Sequence, residues 1–265
     1  MSVHQRIAIT GASGLIGTAL VGHLKAEGHT VQRLVRRAPV GADEVQWDPQ
    51  TGFVDLEPLR GVDAVIHLAG VGVGDKRWSK KYKSEILNSR LLGTTAIANA
   101  VTELKPQVFI SASAIGWYGE SGNRAVVETD RVGDDFLAAV CREWEAAADL
   151  AQDVRTVKIR TGLVLDPTGG ALGKMLPLFR LGLGGKLGNG KQWWSWITLH
   201  DQLRAIIFAL ENPISGPVNL TAPNPVTNQE FTAALARAMH RPALFPAPAI
   251  ALKIALGSFS SEVLG

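Results

Sequence analysis

The sequence predicts an α/β fold: a doubly wound parallel sheet with a smaller α/β lobe at the C-terminal end. Two observations predict the sheet. Short, continuously apolar runs alternate with longer stretches of helical periodicity through the first two-thirds of the chain. The first apolar run also leads directly into a glycine-rich turn that opens a helix. Strands buried on both faces form continuous apolar runs, because helices cover both sides of a parallel sheet.

The elements can be assigned in chain order from these runs. The first strand, Ile7–Thr10, precedes a helix over Leu15–Glu27, which ends at Gly28. Four further strands and two further helices are predicted: strand Val31–Val35, strand Val62–Ala69, helix Ser79–Glu103, strand Val108–Ser111, helix Asp134–Ala151 and strand Val154–Ile159. Regular alternation of this kind is typical of βαβ units.

A change in composition after Gly162 predicts the second lobe. Glycines crowd positions 169–190, three tryptophans follow at positions 193, 194 and 196, and prolines cluster from position 213 onward. We assign residues 1–165 to the nucleotide-binding domain and residues 166–265 to a smaller substrate lobe. Its helices are expected near Asp201–Glu211 and Asn228–His240. This lobe would lie over the carboxyl ends of the strands, where open α/β sheets bind ligands.

The first strand–helix turn carries the first functional prediction. Gly11 and Gly14 would let the backbone turn sharply and approach a pyrophosphate, and Gly17 would let the helix lie close on the sheet. Phosphates would then bind the unpaired N–H groups at the helix N-terminus, where the helix dipole favours anions. The position of these glycines is typical of a Rossmann dinucleotide site. The alternative is an ordinary strand–helix turn without a ligand.

The end of the second strand favours NADP over NAD. An NAD site usually carries an acidic residue about 20 residues beyond the glycines, where it binds the ribose 2′-hydroxyl. The strand here ends in RLVRR, without a carboxylate, and Arg36 occupies the place of that acid. A guanidinium there can bind the 2′-phosphate of NADP through two hydrogen bonds. The alternative is that Arg36 and Arg37 are simply exposed.

Composition limits the classes of partner and the compartment. A net charge of +3 over 265 residues is too small to indicate nucleic-acid binding, and we interpret the basic run Lys80–Lys83 as a solvated helix face. We find neither an apolar run long enough to cross a bilayer nor a signal-peptide pattern. The single cysteine fits a reducing compartment, and the scattered histidines offer no zinc spacing. We therefore expect a cytoplasmic protein with a small-molecule substrate and no metal site.

Segments spread along the whole chain form a set of motifs. The broader set is Thr10–Gly17 (TGASGLIG), Asp63–Ala69 (DAVIHLA), Gly93–Thr94, Arg160–Val164 (RTGLV) and Trp196–Asp201 (WITLHD). These segments resemble the extended short-chain dehydrogenase/reductase superfamily, in its epimerase/dehydratase branch. A narrower set is Ser89–Arg90, Trp144–Ala147 (WEAA), Phe179–Gly185 (FRLGLGG) and Asn219–Val226 (NLTAPNPV). It resembles an atypical NAD(P)-dependent epimerase-like family with a C-terminal domain of unknown function. That resemblance implies a tail beyond Gly265.

The glycine turn and the resemblance together predict the cofactor-binding residues. The expected contacts are Gly11, Ser13, Gly14, Leu15, Ile16, Gly17, Arg36, Leu68, Ala69, Gly70, Glu85 and Arg90. The resemblance also implies a sugar-like substrate, since bacterial members are often labelled sugar-nucleotide epimerases. It further implies a homodimer formed through the helix pair Ser79–Glu103 and Asp134–Ala151.

The chain departs from the usual catalytic pair of that superfamily. Ordinary members use Tyr-x-x-x-Lys, in which the lysine lowers the tyrosine pKa so that the phenol exchanges a proton while nicotinamide exchanges a hydride. The chain contains only Tyr82 and Tyr118, and neither is followed by a lysine four residues later. Cys141 and Glu145 stand where the pair belongs. A carboxylate beside a thiol disfavours the thiolate, so we interpret Cys141 as a packing residue, with a nucleophile as the alternative.

Ser113 and Tyr118 remain as candidate catalytic residues. Ser111 and Ser113 both end a strand, and we choose Ser113 as the group that donates to a substrate oxygen. Tyr118 lies in the following loop, near the expected nicotinamide end, although it could instead pack on the second lobe. The same two alternatives, lining a substrate pocket or packing, hold for the tryptophans at 193–196. His67, at the end of a buried strand, is interpreted as structural.

Two functional hypotheses follow. In the first, the protein is an NADP-dependent epimerase-like or oxidoreductase-like enzyme that acts on an unknown small polar substrate. In the second, it is an NADP(H)-binding sensor or scaffold without turnover, which the missing Tyr-x-x-x-Lys pair favours.

Overall fold

A computed structural model describes residues 4–243 and 257–260 of the chain. The strands are β1 (Arg6–Thr10), β2 (Thr30–Val35), β3 (Glu44–Asp48), β4 (Phe53–Val54), β5 (Ala64–His67), β6 (Val108–Ala114), β7 (Arg155–Thr161), β8 (Leu163–Asp166), β9 (Trp193–Trp194), β10 (Trp196–Thr198), β11 (Gly216–Leu220) and β12 (Val226–Thr227). The α-helices are α1 (Leu15–Ala26), α2 (Lys80–Leu104), α3 (Phe136–Ala148), α4 (Gly170–Arg180), α5 (Leu199–Glu211) and α6 (Asn228–Ala238).

The central sheet has eight strands in the order β11-β7-β6-β5-β1-β2-β3-β4. Every pair of neighbours is parallel except β3 and β4. The chain leaves β1 toward β2 on one side and later adds β5 on the other side. The carboxyl ends of β1 and β5 therefore flank a topological switch point, where sheets of this kind bind ligands. The predicted doubly wound parallel sheet with a Rossmann-like arrangement is confirmed.

Helices cover both faces of the sheet, which explains why its strands are continuously apolar. Leu20 and Leu24 of α1 and Ile206 of α5 pack on Ile7 and Ile9 of β1. On the opposite face, Ile97 and Val101 of α2 and Ala148 of α3 pack on Ala8 and Phe109. The sheet thus carries two separate apolar layers, and alternate residues of each strand enter one layer or the other.

Helix α2 follows the prediction closely, and its first residues show why it begins where it does. Ser79 precedes the helix, and its side-chain oxygen accepts a hydrogen bond from the Tyr82 N–H at 3.1 Å. Helices α2 and α3 meet in one apolar cluster that contains Ile86 and Val140. The expected helix pair is therefore adjacent, and the homodimer through it stays a prediction.

The segment assigned to the second lobe is divided between two places. Residues 199–220, which we assigned to that lobe, include a helix that packs on the main sheet and a strand that joins it, and the division at residue 165 stays a prediction. Strand β11 pairs with β7, with Val218 opposite Ile159, and α5 buries Ile206 and Leu210 in the core beside α1. The physical reason is that the apolar face of α5 is stabilised by burial, and the face of the sheet beside α1 offers an apolar surface on which it can pack.

The remaining described elements of the lobe form a small outer layer. Strand β10 pairs in parallel with β8, and β12 pairs antiparallel with β9. Helices α4 and α6 complete this layer. The division at residue 165 stays a prediction for these elements, and residues 244–256 and 261–265 lie outside the described part. Within residues 4–243 and 257–260, we find no helix both long and apolar enough to cross a membrane.

Candidate functional site

The turn between β1 and α1 is packed so tightly that side chains do not fit. Gly11 has a φ of +69°, and a Cβ added to it would lie 2.8 Å from the backbone nitrogen of Ala69. A Cβ on Gly17 would lie 2.1 Å from the carbonyl oxygen of Gly11. Gly17 therefore lets the helix close onto its own turn, rather than onto the sheet as we expected. The result is a compact cradle of backbone atoms.

The N-terminus of α1 opens into this cradle. Gly14 is the N-cap residue, its backbone is extended, and no side chain in the described part caps the helix. The first N–H groups of a helix lack intrahelical partners, so those of Leu15, Ile16 and Gly17 are available to a ligand. Ser13 is exposed beside them. Backbone donors and the helix dipole together favour a phosphate at this position.

Thr10 ties the end of β1 to the end of β5. Its hydroxyl oxygen accepts hydrogen bonds from the N–H groups of Leu68 at 3.1 Å and Ala69 at 3.3 Å. The same oxygen lies 2.7 Å from Nδ1 of His67. Complete burial lowers the pKa of His67 to about 3, so the imidazole is neutral, and Nδ1 and the threonine hydroxyl share a hydrogen bond. His67 is structural, and the arrangement fixes the backbone of Leu68 and Ala69 at the edge of the cradle.

A cleft of about 360 Å³ runs from the glycine turn along the carboxyl ends of β5, β6 and β7. This volume is within the range of small-molecule sites. The side chains and segments that line it beyond the glycine turn are Leu68, Ala112, Ser113, Trp144, Thr161–Val164, Gly170, Ala171 and Gln202. The start of α4 closes one side, because Leu15 would lie only 3.2 Å from a Cβ added at Gly169.

The three arginines near the end of β2 differ in their partners. Arg37 pairs with Glu44 at 2.6 Å, and this hydrogen bond lowers the pKa of Glu44 to about 2. Arg33 pairs with Asp43 at 3.0 Å. Arg36 is exposed and has no ion pair with any residue in the described part of the chain. It is therefore the cation at this strand end that remains available to a ligand.

Arg90 and Glu85 of α2 lie at the edge of the β5–α2 loop, outside the cleft lining. Arg90 is nearly buried and donates to the carbonyl oxygens of Val71 at 2.9 Å and Ile86 at 3.1 Å. Its guanidinium also lies over the Trp144 ring, 4.7 Å from the ring centre. Glu85 is more exposed and lies 3.4 Å from Lys76. Arg90 therefore holds the loop that contains Gly70, and cofactor contacts by Arg90 and Glu85 stay predictions.

Ser113 is the member of the predicted catalytic pair that lies in the cleft. Its hydroxyl donates to Glu145 Oε1 at 2.7 Å. The Glu145 carboxylate also accepts two hydrogen bonds from Arg160, from Nε at 2.8 Å and from Nη2 at 2.9 Å. All three side chains are buried. Burial alone would lower the pKa of Arg160, but its hydrogen bonds to Glu145 and Tyr118 outweigh burial and raise it.

Tyr118 lies on the other side of this ion pair. Its hydroxyl donates to Asn219 Oδ1 at 2.6 Å and accepts from Arg160 Nη1 at 3.1 Å. Tyr118 lines a separate cavity of about 330 Å³, which is also lined by Asn219 and Trp193. The expectation that Tyr118 lies near the nicotinamide end stays a prediction. Ser113 and Tyr118 belong to one hydrogen-bonded network but face different cavities.

Sequence reasoning missed Arg160 as the centre of that network. The signal that could have found it is Glu145, a carboxylate on the buried face of a helix within the sequence WEAA. A carboxylate in such a place needs a cation, and Arg160 is the penultimate residue of β7. Cys141, on the same helix, is buried, and burial raises its pKa to about 12. It is a thiol at neutral pH, in agreement with a packing role rather than a nucleophilic one.

Metal ligands are not grouped in the part of the chain that the structure describes. There, no cluster of three or more His, Cys, Asp and Glu side chains could hold a metal ion. The polar groups of the cleft are instead backbone N–H groups, hydroxyls, an indole and an amide, which suit a nucleotide.

Residues 7–221 match the NAD dependent epimerase/dehydratase family. The chain belongs to this family. It is 47% identical over 261 residues to an epimerase family protein of Mycobacterium bovis, with 97% of this chain and 87% of that protein covered. The match to a bovine epimerase family protein, SDR39U1, is 38% identical over 96% of this chain and 87% of that protein.

Among solved structures, the human epimerase family protein SDR39U1 with NADPH is similar, with a TM-score of 0.86 and 35% identity. The similarity covers 95% of this chain and 86% of that one. A nucleoside-diphosphate sugar epimerase of Corynebacterium glutamicum has a TM-score of 0.77 and 36% identity, over 99% of this chain and 61% of that one. These epimerase neighbours share the Rossmann-like arrangement, and the family to which the chain belongs binds NAD(P).

Proposed function

We propose that this protein binds NADP(H) in the cleft and acts on a small polar, sugar-like substrate without a Tyr-x-x-x-Lys pair. The observation that carries the proposal is the cradle at Gly11 and Gly17, which a Cβ would fill, beside uncapped helical N–H groups. The pyrophosphate would bind the N–H groups of α1. Arg36 would bind the 2′-phosphate, since its two arginine neighbours already have carboxylate partners.

The NADPH bound to the human relative supports this choice of cofactor. Ser113 would lie at the nicotinamide end of the cleft, because β6 lies on the far side of β5 from β1 and β2. When bound, the cofactor supplies or accepts a hydride. The chain itself must then bind the substrate and hold the proton of the reacting hydroxyl group.

Ser113 has the geometry for that task. Its own proton is donated to Glu145, so, in contrast to the donor role expected from the sequence, its oxygen would accept a hydrogen bond from a substrate hydroxyl. Arg160 holds Glu145 in place with two hydrogen bonds. Tyr118 contacts Arg160 and faces the other cavity, so we assign it a positioning role through Arg160.

The experiment that tests the cofactor assignment is a fluorescence titration with NADPH and NADH. Wild-type protein should bind NADPH at least about tenfold more tightly, and Arg36→Asp should lose that difference of about 1.4 kcal/mol. Arg131→Asp makes the same charge change at an exposed loop residue outside the cleft lining, and it should keep the preference. If neither nucleotide binds wild-type protein, the proposal is wrong. Retention of the preference in Arg36→Asp would contradict the role of Arg36.

A sensor or scaffold without turnover is the second candidate. The observation that favours it is that Ser113 and Tyr118 both donate their hydroxyl protons within the protein. Ser113→Ala separates the two functions. If a substrate panel yields turnover, the variant should lose rate while its affinity for NADPH stays unchanged. If no substrate is turned over and partner binding depends on the cofactor redox state, the sensor function is supported.

A further inference from the structure

Two buried side chains in the cleft lining each keep one polar atom without a hydrogen-bond partner. They are Nε1 of Trp144 and Oε1 of Gln202. Their relative exposures are 6% and 0%. An unpaired buried donor or acceptor destabilises a protein, so native structures rarely leave one without a reason. The other unpaired buried atoms found in the described part of the chain lie outside this cleft.

The Trp144 ring is fixed by its surroundings. The Arg90 guanidinium lies over it, and the next residue, Glu145, is held by Arg160. An indole nitrogen can only donate, so Trp144 needs an acceptor that the described residues do not supply. The matching ligand group is therefore a hydroxyl or carbonyl oxygen.

The Gln202 amide is oriented by Thr161. Nε2 of Gln202 donates to Oγ1 of Thr161 at 3.1 Å, while that hydroxyl donates to the Ile159 carbonyl oxygen at 3.5 Å. The glutamine nitrogen is therefore the amide atom that faces Thr161. The glutamine oxygen is then the atom left without a partner, and it needs a donor.

Both residues lie at the end of the cleft that is far from Arg36. Thr161 ends β7, Ser113 lies opposite Arg160 on the adjacent strand β6, and Arg36 follows β2. In the sheet order, β7 and β2 are four strands apart, which corresponds to roughly 19 Å at the usual strand spacing. If the 2′-phosphate lies at Arg36 and the pyrophosphate at α1, the part of the dinucleotide that reaches β6 and β7 is the nicotinamide riboside.

We propose that Trp144 and Gln202 bind the nicotinamide half of NADP(H), Trp144 as a donor and Gln202 as an acceptor. The inference rests on the proposed function. The nicotinamide riboside carries the required groups: ribose hydroxyls and a carboxamide oxygen can accept from the indole N–H, and the carboxamide NH₂ can donate to the glutamine oxygen. Both residues are positioning residues for the ring that exchanges the hydride.

Trp144→Phe tests the indole, because phenylalanine removes the N–H and keeps an aromatic ring under Arg90. The probes are NADPH and adenosine 2′,5′-bisphosphate, which lacks the nicotinamide half. By isothermal titration calorimetry, the variant should bind NADPH about three- to tenfold more weakly, which is the effect of one lost hydrogen bond. Its affinity for the bisphosphate should not change. The thermal midpoint of the ligand-free variant should fall, because the smaller ring leaves a cavity, so the difference between the two probes carries the test.

Trp196→Phe is the matched control. The Trp196 indole already donates to the Asn224 carbonyl oxygen at 3.1 Å, and Trp196 does not line the cleft. This variant should show a lower thermal midpoint and unchanged affinity for both probes. A loss of NADPH affinity as large as that of Trp144→Phe would show a general packing effect and would overturn the assignment of Trp144.

Gln202→Leu tests the acceptor with a cofactor analogue. In the acetylpyridine analogue of NADPH, a methyl ketone replaces the carboxamide, so the ring has no N–H group to donate. Wild-type protein should bind NADPH several-fold more tightly than the analogue, and Gln202→Leu should bind the two equally. Equal selectivity in wild-type protein and variant would overturn the role of Gln202.

The failures of the two proposals are distinguishable. If wild-type protein binds neither NADPH nor the bisphosphate, the proposed function itself is wrong. If wild-type protein binds both probes and the two variants lose affinity for both alike, or for neither, only the assignment of Trp144 and Gln202 is wrong.

Discussion

Glu145 and Arg160 are the residues on which the interior of the site depends. They form a buried ion pair with two parallel hydrogen bonds, and each also contacts one candidate catalytic side chain. Such a pair is weak evidence for net stability, because desolvation of the two charges offsets their attraction. Its contribution is geometric. It fixes the direction of the Ser113 hydroxyl and holds Tyr118 away from the cleft.

Loss of the Glu145 charge should be costly, because it leaves the Arg160 guanidinium buried and uncompensated. We expect Glu145→Gln to lower the free energy of unfolding by about 3–5 kcal/mol. Urea unfolding measures this change. Glu143→Gln, two residues earlier on the exposed face of α3, is the matched control and should stay within about 0.5 kcal/mol of wild type. Equal effects of the two substitutions would show that the buried pair is not the cause.

His67 should make stability depend on pH in a defined direction. Burial lowers its pKa from 6.5 to about 3 in the folded chain, so the unfolded chain binds the proton first as the pH falls. Its contribution to stability is complete above about pH 6.5 and is lost as the pH falls toward 3. The slope approaches about 1.4 kcal/mol for each pH unit.

The measurement is urea unfolding of wild-type protein and His67→Asn at pH 7 and pH 5.5. Asparagine keeps an acceptor near Thr10 but does not titrate. Wild-type protein should lose more stability than the variant over this interval. Parallel losses would show that His67 is not the group responsible.

At the scale of elements, the turn between β1 and α1 determines whether the cleft exists. The same helix contains a glycine that the turn requires, Gly17, and a glycine that it does not, Gly22. Alanine at Gly17 would clash with the turn, whereas alanine at Gly22 would not. A comparison of the two variants therefore distinguishes the destabilisation caused by a clash from the general effect of replacing a helical glycine.

Gly17→Ala should reduce NADPH binding more than tenfold and also destabilise the fold, because the new Cβ would lie 2.1 Å from the Gly11 carbonyl oxygen. Gly22→Ala is the control, since a Cβ there meets no atom within 4 Å. It should stabilise the protein by about 0.5–1 kcal/mol, because alanine loses less backbone entropy in a helix. Calorimetric titration and urea unfolding of both variants check this. Unimpaired binding by Gly17→Ala would contradict the cradle.

At the scale of the whole molecule, the cleft joins elements that are distant in sequence. Its walls come from the β1–α1 turn, the ends of β6 and β7, and the first turns of α4 and α5. A ligand that bridges these elements should stabilise the molecule as one unit. NADPH at 100 times its dissociation constant should raise the free energy of unfolding by about 2.7 kcal/mol, and its removal by dialysis should reverse the gain.

Thermal unfolding with and without NADPH measures this gain, with NADH at the same concentration as the comparison. NADH should give a smaller shift because it lacks the 2′-phosphate. Equal shifts with the two nucleotides would contradict the preference for NADP.

The sequence by itself determined the parallel strands β1, β2, β5, β6 and β7, the helices that connect them and the glycine turn. These follow from local patterns: continuous apolar runs, helical periodicity and glycines at a fixed spacing. It did not show that β11 joins the sheet or that α5 packs on it, because an apolar face does not specify which other element it contacts. Strand β3, which is largely polar in sequence, was missed for the same reason, since its pairing with β2 defines it.

Only the tertiary structure showed which partners the candidate site residues contact and which cavity each of them lines. Arg36 and Arg37 are neighbours in sequence, and only the structure shows that Arg37 has Glu44 as its partner. Ser113 and Tyr118 are five residues apart, yet the Glu145–Arg160 pair places them at different cavities. Periodicity records which side of an element is apolar. Hydrogen bonds between residues far apart in the chain depend on how the elements pack, and only packing could assign them.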